Sequence, residues 1–243
     1  MYYFYAQTEK GLKSPKNNDC FFIDDYISQE QPHKIQSKRN EFLLGIADGV
    51  GSSVYGGEAA KYILEQLSKY RKQITHALIL NIIQNAHTYL NKTFDYQSST
   101  VFTILHIQKS FITMYHLGDT RAYKLTSNNN FVSLTNDHSY VQKLINDGVI
   151  SESMRYTHPQ KNLILQSLGG KNNINIDIYK NSFEPGEQLL LTTDGIHDYL
   201  NNQQMKEILL SSKDIKTNVS KLITTAKAHQ SKDDLTAIII KYI

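Results

Sequence analysis

Disulfide chemistry is absent from this chain: its only cysteine, Cys20, has no intramolecular partner. Nothing in the sequence therefore requires an oxidising compartment, and a cytoplasmic setting is expected. Proline and glycine are scarce, at 4 and 12 of 243 residues, while hydrophobic residues make up 40% and charged residues 20%. That balance excludes collagen-like, low-complexity and disordered chains. No apolar run approaches the roughly 20 residues that cross a bilayer. The opening MYYFYAQTEKGLKS also lacks the basic start, apolar middle and small-residue cleavage site of a secretory signal, so no membrane partner is expected. A strong excess of one charge sign is missing too. The 26 basic and 23 acidic residues leave +3, too little by itself to mark a nucleic-acid footprint. What remains is enough apolar sequence for one large domain over residues 1–243.

Short runs of branched and aromatic residues bounded by turn formers predict strands at Tyr2 to Ala6, Cys20 to Asp24, Phe42 to Ala47, Val101 to Gln108, Phe111 to Leu117, Ala122 to Leu125, Gln188 to Thr193 and Leu235 to Tyr242. The two around Lys109-Ser110 read as a hairpin. The polar stretch from Ser28 to Asn40 reads as a surface loop. Helical spacing joins Ala60, Ile63, Leu64 and Leu67, and again Ile79, Ile82, Ile83, Ala86 and Tyr89. A second pair of helices is predicted over Met205 to Leu210 and from Ile215 to Ala226. Helices in pairs between batches of strands argue against regular strand–helix alternation and for an α+β layered sandwich.

The chemistry is concentrated in aspartates at strand ends. Asp48 follows Phe42–Ala47 and precedes Gly49; Asp194 follows Leu189–Thr193 and precedes Gly195. A carboxylate at the last residue of a buried strand is held rigidly, and a following glycine lets another group approach the backbone. Gly118-Asp119-Thr120-Arg121 and Asp233-Asp234 add two more such turns. Each alone reads as an Asp-Gly turn or an Asx cap. Were all four to converge, their repulsion would call for cations, and oxygen-only ligands favour hard ions such as Mg²⁺ or Mn²⁺. Sequence spacing does not by itself bring them together.

In order along the chain stand Asn17-Asn18-Asp19, Ala47-Asp48-Gly49-Val50-Gly51, Gly56-Gly57-Glu58, Leu117-Gly118-Asp119-Thr120-Arg121-Ala122-Tyr123, Leu134-Thr135-Asn136-Asp137-His138-Ser139, His158-Pro159, Leu168-Gly169, Leu190-Leu191-Thr192-Thr193-Asp194-Gly195 and Asp233-Asp234-Leu235-Thr236. With these motifs the chain resembles, over nearly its whole length, the metal-dependent protein serine/threonine phosphatases of the 2C type in their compact bacterial form. The resemblance implies a four-layer α-β-β-α sandwich, two antiparallel sheets flanked by helix pairs. It implies two or three Mn²⁺ or Mg²⁺ ions: Asp48 bridging two of them with the Gly49 carbonyl on one, Asp194 and Asp233 completing the other, and a third, weaker ion at Asp119, Asp194 and Asp198. Catalysis would then run through Asp48, Asp194 and Asp233 by way of metal-activated hydroxide attacking phosphorus in line. Asp19, with Asn18, would orient water or ligands from behind, and a flap would span roughly Asp147 to Lys161. The expected substrate is a phosphoserine or phosphothreonine protein, with a Ser/Thr kinase opposing the enzyme in bacterial signalling; a monomer is expected.

Several positions depart from that pattern. Ser14 stands where the family usually places an arginine that forks onto phosphate, and the flanking Lys13 and Lys16 offer charge without bidentate geometry. The plain reading of both lysines is a solvated basic loop. Asn18 replaces a Glu or Gln and keeps a carbonyl oxygen. Val50 reads as packing, Ser98-Ser99-Thr100 as a strand-entry turn, His138 and His158 as structural or flap-positioning residues, and His197 as a surface-facing or helix-start histidine. Cys20 reads as a small buried residue, and Arg121 as a local partner of a carboxylate. Two other functions compete with hydrolysis of phosphoproteins. One is a pseudophosphatase that binds phosphoproteins without turnover, motivated by Ser14; the other is a dinuclear phosphodiesterase acting on nucleic acid, disfavoured by the near-neutral charge and the lack of aromatic-basic clusters.

Overall fold

A computed structural model describes residues 1–13, 15–171 and 173–243; the Ser14 departure lies outside the described residues. Among the described residues twelve strands form two antiparallel sheets. One runs β4 (His33–Ser37), β1 (Tyr2–Glu9), β12 (Leu235–Tyr242), β11 (Gln188–Thr192), β8 (Arg121–Leu125), β9 (Phe131–Ser133); the other runs β10 (Asp177–Ser182), β7 (Phe111–Leu117), β6 (Thr100–Gln108), β5 (Glu41–Gly49), β2 (Asp19–Ile23), β3 (Tyr26–Ser28). The sheets face each other through Phe4, Phe21, Phe42, Leu44, Ile46, Leu105, Ile107, Leu189, Leu191, Ile238 and Ile240.

Both outer faces are covered as well. Helices α1 (Gly56–Lys69) and α2 (His76–Phe94) lay Ile63, Leu64, Leu67, Ile79, Ile83 and Leu90 on one sheet. On the other, α5 (Asn202–Ser211) and α6 (Ile215–Ala228) pack Met205, Leu209, Val219, Leu222 and Ile223 against Tyr5, Leu190 and Ile239. Successive residues of one strand therefore serve different layers. Ile238 and Ile240 face the inter-sheet core while Ile239 faces the helices. This is the four-layer α-β-β-α sandwich, and it explains why the central strands read as unbroken apolar runs rather than as alternation. Two short helices, α3 (Tyr140–Asn146) and α4 (Asp194–His197), and a 3-10 helix at Glu152–Thr157 sit near the ends of the sheets.

The eight predicted strands and both helix pairs are present, and Gln108 pairs with Phe111 across the Lys109-Ser110 hairpin. The stretch from Ser28 to Asn40 is not simply a loop. It ends β3 and contains β4, which pairs only with β1 and alternates half-buried with exposed residues. An outermost strand with one ladder and a wet face needs few apolar residues, so its polarity hides it. The same holds for β9 and β10, which also lie at sheet edges.

Candidate active site

The layered fold brings the four acidic turns together. Asp48 ends β5 beside Gly49, Asp119 lies between β7 and β8, Asp194 follows β11, and Asp233 precedes β12. All four line one cavity of about 530 Å³, together with Gly49, Asn18, Asp234, Lys13 and Lys16. Asn162 and Ile164 also form part of its wall. Convergence, which spacing alone left open, is thus a property of the fold.

Backbone crowding fixes the two Asp-Gly turns. A Cβ on Gly49 would stand 2.3 Å from the Gly56 carbonyl carbon, and one on Gly195 would stand 2.0 Å from the Asp234 carbonyl oxygen. Only glycine admits such approaches. The Thr100 hydroxyl donates to the Asp48 carbonyl at 2.7 Å, and the Gly49 N–H donates to the Asn18 carbonyl at 3.1 Å, so the end of β5 is held from both sides. Asp234 accepts the Gly11 N–H at 2.7 Å and the Asn18 N–H at 2.8 Å, clasping the amino-terminal loop to the start of β12.

Behind this floor lies Asp19, 1% exposed. Its Oδ2 accepts hydroxyl bonds from Thr193 at 2.8 Å and Thr236 at 2.7 Å, while its Oδ1 is buried with no hydrogen-bond partner. Burial, then Asp234, pushes the Asp19 carboxyl up to about 7. Asp48 is raised well above the usual carboxylate range by burial and by Asp19, Asp194, Asp119 and Asp233. Asp194 is raised likewise by burial, Asp233, Asp119 and Asp198. Asp119 is pushed up to about 7 by burial, Asp137 and Asp198, against the pull of Arg121. Each carboxylate makes ionisation of the others harder, which is the signature of a site short of positive charge.

Lysines supply part of that charge. Lys13 Nζ contacts Asp233 Oδ2 at 2.5 Å, and although burial works against its charge, Asp233 and Asp194 raise its pKa overall. Lys161 Nζ contacts Asp198 Oδ2 at 2.8 Å. Among the described residues no three Asp, Glu, His or Cys side chains close on one point as ligands, with Asp233 and Asp198 turned to these lysines. The donor set nonetheless fits hard divalent cations. It is all oxygen, mutually repelling, floored by a carboxylate oxygen without a partner, and reachable from one cavity.

Lys16 lines the cavity but pairs with Glu58 at 2.5 Å. Arg121 forks onto Asp137 at 2.8 and 2.6 Å, as a local partner should. His138 accepts the Gly118 N–H at 3.1 Å and lies 3.2 Å from Asp177. The His158 ring accepts the Gln160 N–H at 3.1 Å. Cys20 is buried, and burial pushes its thiol up to about 12. His197 is a correction: it ends α4 rather than starting it, and at 1% exposure it is not on the surface. Its ring bonds Thr192 at 2.9 Å, and burial followed by Arg121 holds it neutral. A histidine one turn past a strand-end aspartate follows the chain back into the core, and the polar sequence around it does not reveal this.

Sequence reasoning missed the Thr193 and Thr236 hydroxyls, the Asp234 clasp, and the Asn162 and Ile164 wall. Thr193 and Thr236 did carry a signal, since each stands within two residues of a singled-out aspartate at the end of an apolar strand.

Residues 23–238 match the family Protein phosphatase 2C. The serine/threonine phosphatase stp of Listeria welshimeri is 28% identical over 222 residues, covering 85% of this chain and 86% of that one. The structure of the serine/threonine phosphatase Stp1 from Staphylococcus aureus superposes with a TM-score of 0.84 at 25% identity, over 98% of this chain and 94% of that one. The catalytic domain of the serine/threonine protein phosphatase PstP in complex with 2 manganese ions matches with a TM-score of 0.79 at 19% identity, over 99% of each chain.

Proposed function

The chain belongs to the protein phosphatase 2C family and is a protein serine/threonine phosphatase, and from that premise we propose how its own residues carry the reaction. Asp48, Asp194 and Asp233, with the Gly49 carbonyl, hold two divalent cations, Mn²⁺ or Mg²⁺. Asp119, Asp194 and Asp198 hold a third. Asp19 and Asn18 set the floor from behind. When bound, the ions would supply Lewis-acid charge and bring the pKa of water toward neutrality.

The remaining work is electrostatic and geometric. The acidic floor repels a phosphate dianion until it is neutralised, so turnover requires the cations. Lys13 and Lys16 stand at the same cavity and place positive charge beside an incoming phosphate without the geometric selection of an arginine fork. Among the described residues no histidine lines the cavity, so the serine or threonine alkoxide takes its proton from water rather than from an imidazole. We place a flap over roughly 147–161, the segment that leads into Asn162 and Ile164 of the cavity lining. Phosphorylated proteins are the substrates, a Ser/Thr kinase opposes the enzyme in bacterial signalling, and it acts as a monomer in the cytoplasm. No helix among the described residues is long and apolar enough to cross a membrane.

The observation that carries this reading is the convergence of Asp48, Asp119, Asp194 and Asp233 from four separate turns onto one cavity. A binding-only module has little use for clustered charge that is costly without cations. The test is phosphate release from phosphothreonine and phosphoserine peptides with Mn²⁺, with Mg²⁺ and with EDTA. Release with either ion and none with EDTA is expected. Full turnover after dialysis against EDTA would overturn the metal reading, and binding without release would point to a pseudophosphatase.

A further inference from the structure

Segment 151–160 is almost entirely wet. Ser151 to Met154 are exposed, Val149 just before them is 66% exposed, and one residue of the ten, Arg155 at 6%, is buried. An arginine in that position reverses the usual order of burial. Its guanidinium reaches Asp137 Oδ2 at 3.0 Å, Glu152 Oε1 at 2.7 Å and Oε2 at 3.2 Å, and Gln142 Oε1. The 3-10 helix Glu152–Thr157 is therefore tied through one side chain to the turn before α3 and to α3 itself.

The same Asp137 takes the fork of Arg121, two residues beyond Asp119. Arg155 thus reaches, through one shared carboxylate, the strand that leads out of an acidic turn. At the far end of the segment, Lys161 bonds Asp198 beyond another. Between that tether and the core, the Tyr140 N–H donates to the Leu163 carbonyl at 2.8 Å and the Leu165 N–H to the His138 carbonyl at 2.7 Å. These bonds hold Asn162 and Ile164 where they wall the catalytic cavity.

We infer that Arg155 is the positioning residue that docks segment 147–161, so that the Asn162–Ile164 wall stands formed before a phosphoprotein arrives. Loss of Arg155 leaves Asp137 paired with Arg121, so the penalty for a bare buried charge is avoided and the fold is spared. What is lost is the one buried side chain of residues 151–160, while Lys161 still holds the far end of the segment to Asp198. A substrate must then order that segment as it binds, and the ordering cost appears in affinity. A small aryl phosphate that does not reach the wall escapes the cost.

The inference rests on the phosphatase reading, and its test keeps the two apart. KM and kcat are measured for the wild type, Arg155→Ala and Arg155→Lys on a phosphothreonine peptide and on p-nitrophenyl phosphate, alongside amide hydrogen exchange of the same proteins. For Arg155→Ala the account expects KM on the peptide to rise about tenfold relative to that on p-nitrophenyl phosphate. Exchange over 149–158 should accelerate while β5 and β11 stay protected. Arg155→Lys, which keeps the charge but not the fork, should fall between. An unchanged KM ratio with unchanged exchange overturns the inference. So does faster exchange in β5 and β11, which would make Arg155 a fold residue. A wild type inactive on both substrates would defeat the phosphatase reading instead, and exchange over 149–158 would still decide whether Arg155 docks the segment.

Discussion

Asp19 stands directly opposite Asp48 in the β2–β5 ladder, so a buried carboxylate and one that lines the acidic cavity are paired across two strands. Like charges placed opposite in a ladder destabilise it. Asp19→Asn should therefore raise the melting temperature of the metal-free protein while lowering kcat about 10- to 100-fold, the usual cost of disturbing a group behind metal ligands. Thermal melts in EDTA and steady-state kinetics in Mn²⁺ check both signs. A lower melting temperature with undiminished kcat would show that the pair is structural only.

Lys13 occupies the Asp233 oxygen that a cation would take. Lys13→Ala should lower the Mn²⁺ concentration for half-maximal activity roughly two- to fivefold, in line with the 0.2–1 kcal/mol of an exposed pair. Lys16→Ala removes the same charge from the cavity but frees Glu58 instead, so it is the control. Equal shifts in the two variants would mean that general charge, not competition for Asp233, sets metal affinity.

Gly195→Ala places a methyl group 2.0 Å from the Asp234 carbonyl oxygen, a backbone atom without a side chain's freedom to swing away. Either the β11–α4 turn or the Asp233-Asp234 turn must shift. The expected stability loss is about 1–3 kcal/mol, with a kcat loss on the order of 10²-fold if a carboxylate moves by about 1 Å. Denaturant titration and kinetics report the two effects, and wild-type values for both would refute the crowding.

His116 is buried, with Nε2 donating to the Asn136 carbonyl at 3.1 Å and Nδ1 accepting the Thr103 hydroxyl at 3.0 Å. Burial, then His138, holds its pKa down to about 4 against 6.5 when unfolded. Between those values the unfolded chain binds the extra proton. The stability this residue contributes is therefore present above pH 6.5 and lost as pH falls toward 4, a change on the order of 2–3 kcal/mol. Denaturation of the wild type and His116→Gln at pH 7 and pH 4.5 should show the gap between them narrowing at the lower pH. A constant gap would mean that His116 does not titrate in this way.

The legibility of the sequence followed how each element is covered. Strands such as β11, with inter-sheet core on one face and helices on the other, announce themselves as apolar runs. Edge strands such as β4, wet on one face, do not. Asp48, Asp119, Asp194 and Asp233 were readable because each flanks an apolar run beside a turn. Arg155, Thr193 and Thr236 take their meaning from partners far away in sequence: Thr236 bonds Asp19 across 217 positions. No local pattern encodes such a meeting. His197 misled because burial is set by the path of the chain after Asp194, not by its polar neighbours.

Calorimetric titration of the metal-free protein with Mn²⁺ addresses the acidic centre most directly. The wild type should bind two ions tightly. Asp48→Asn should lose at least one tight site together with phosphatase activity, whereas Asp119→Ala should keep both and turn over more slowly. Unchanged stoichiometry and affinity in Asp48→Asn, or loss of both tight sites in Asp119→Ala, would contradict the account.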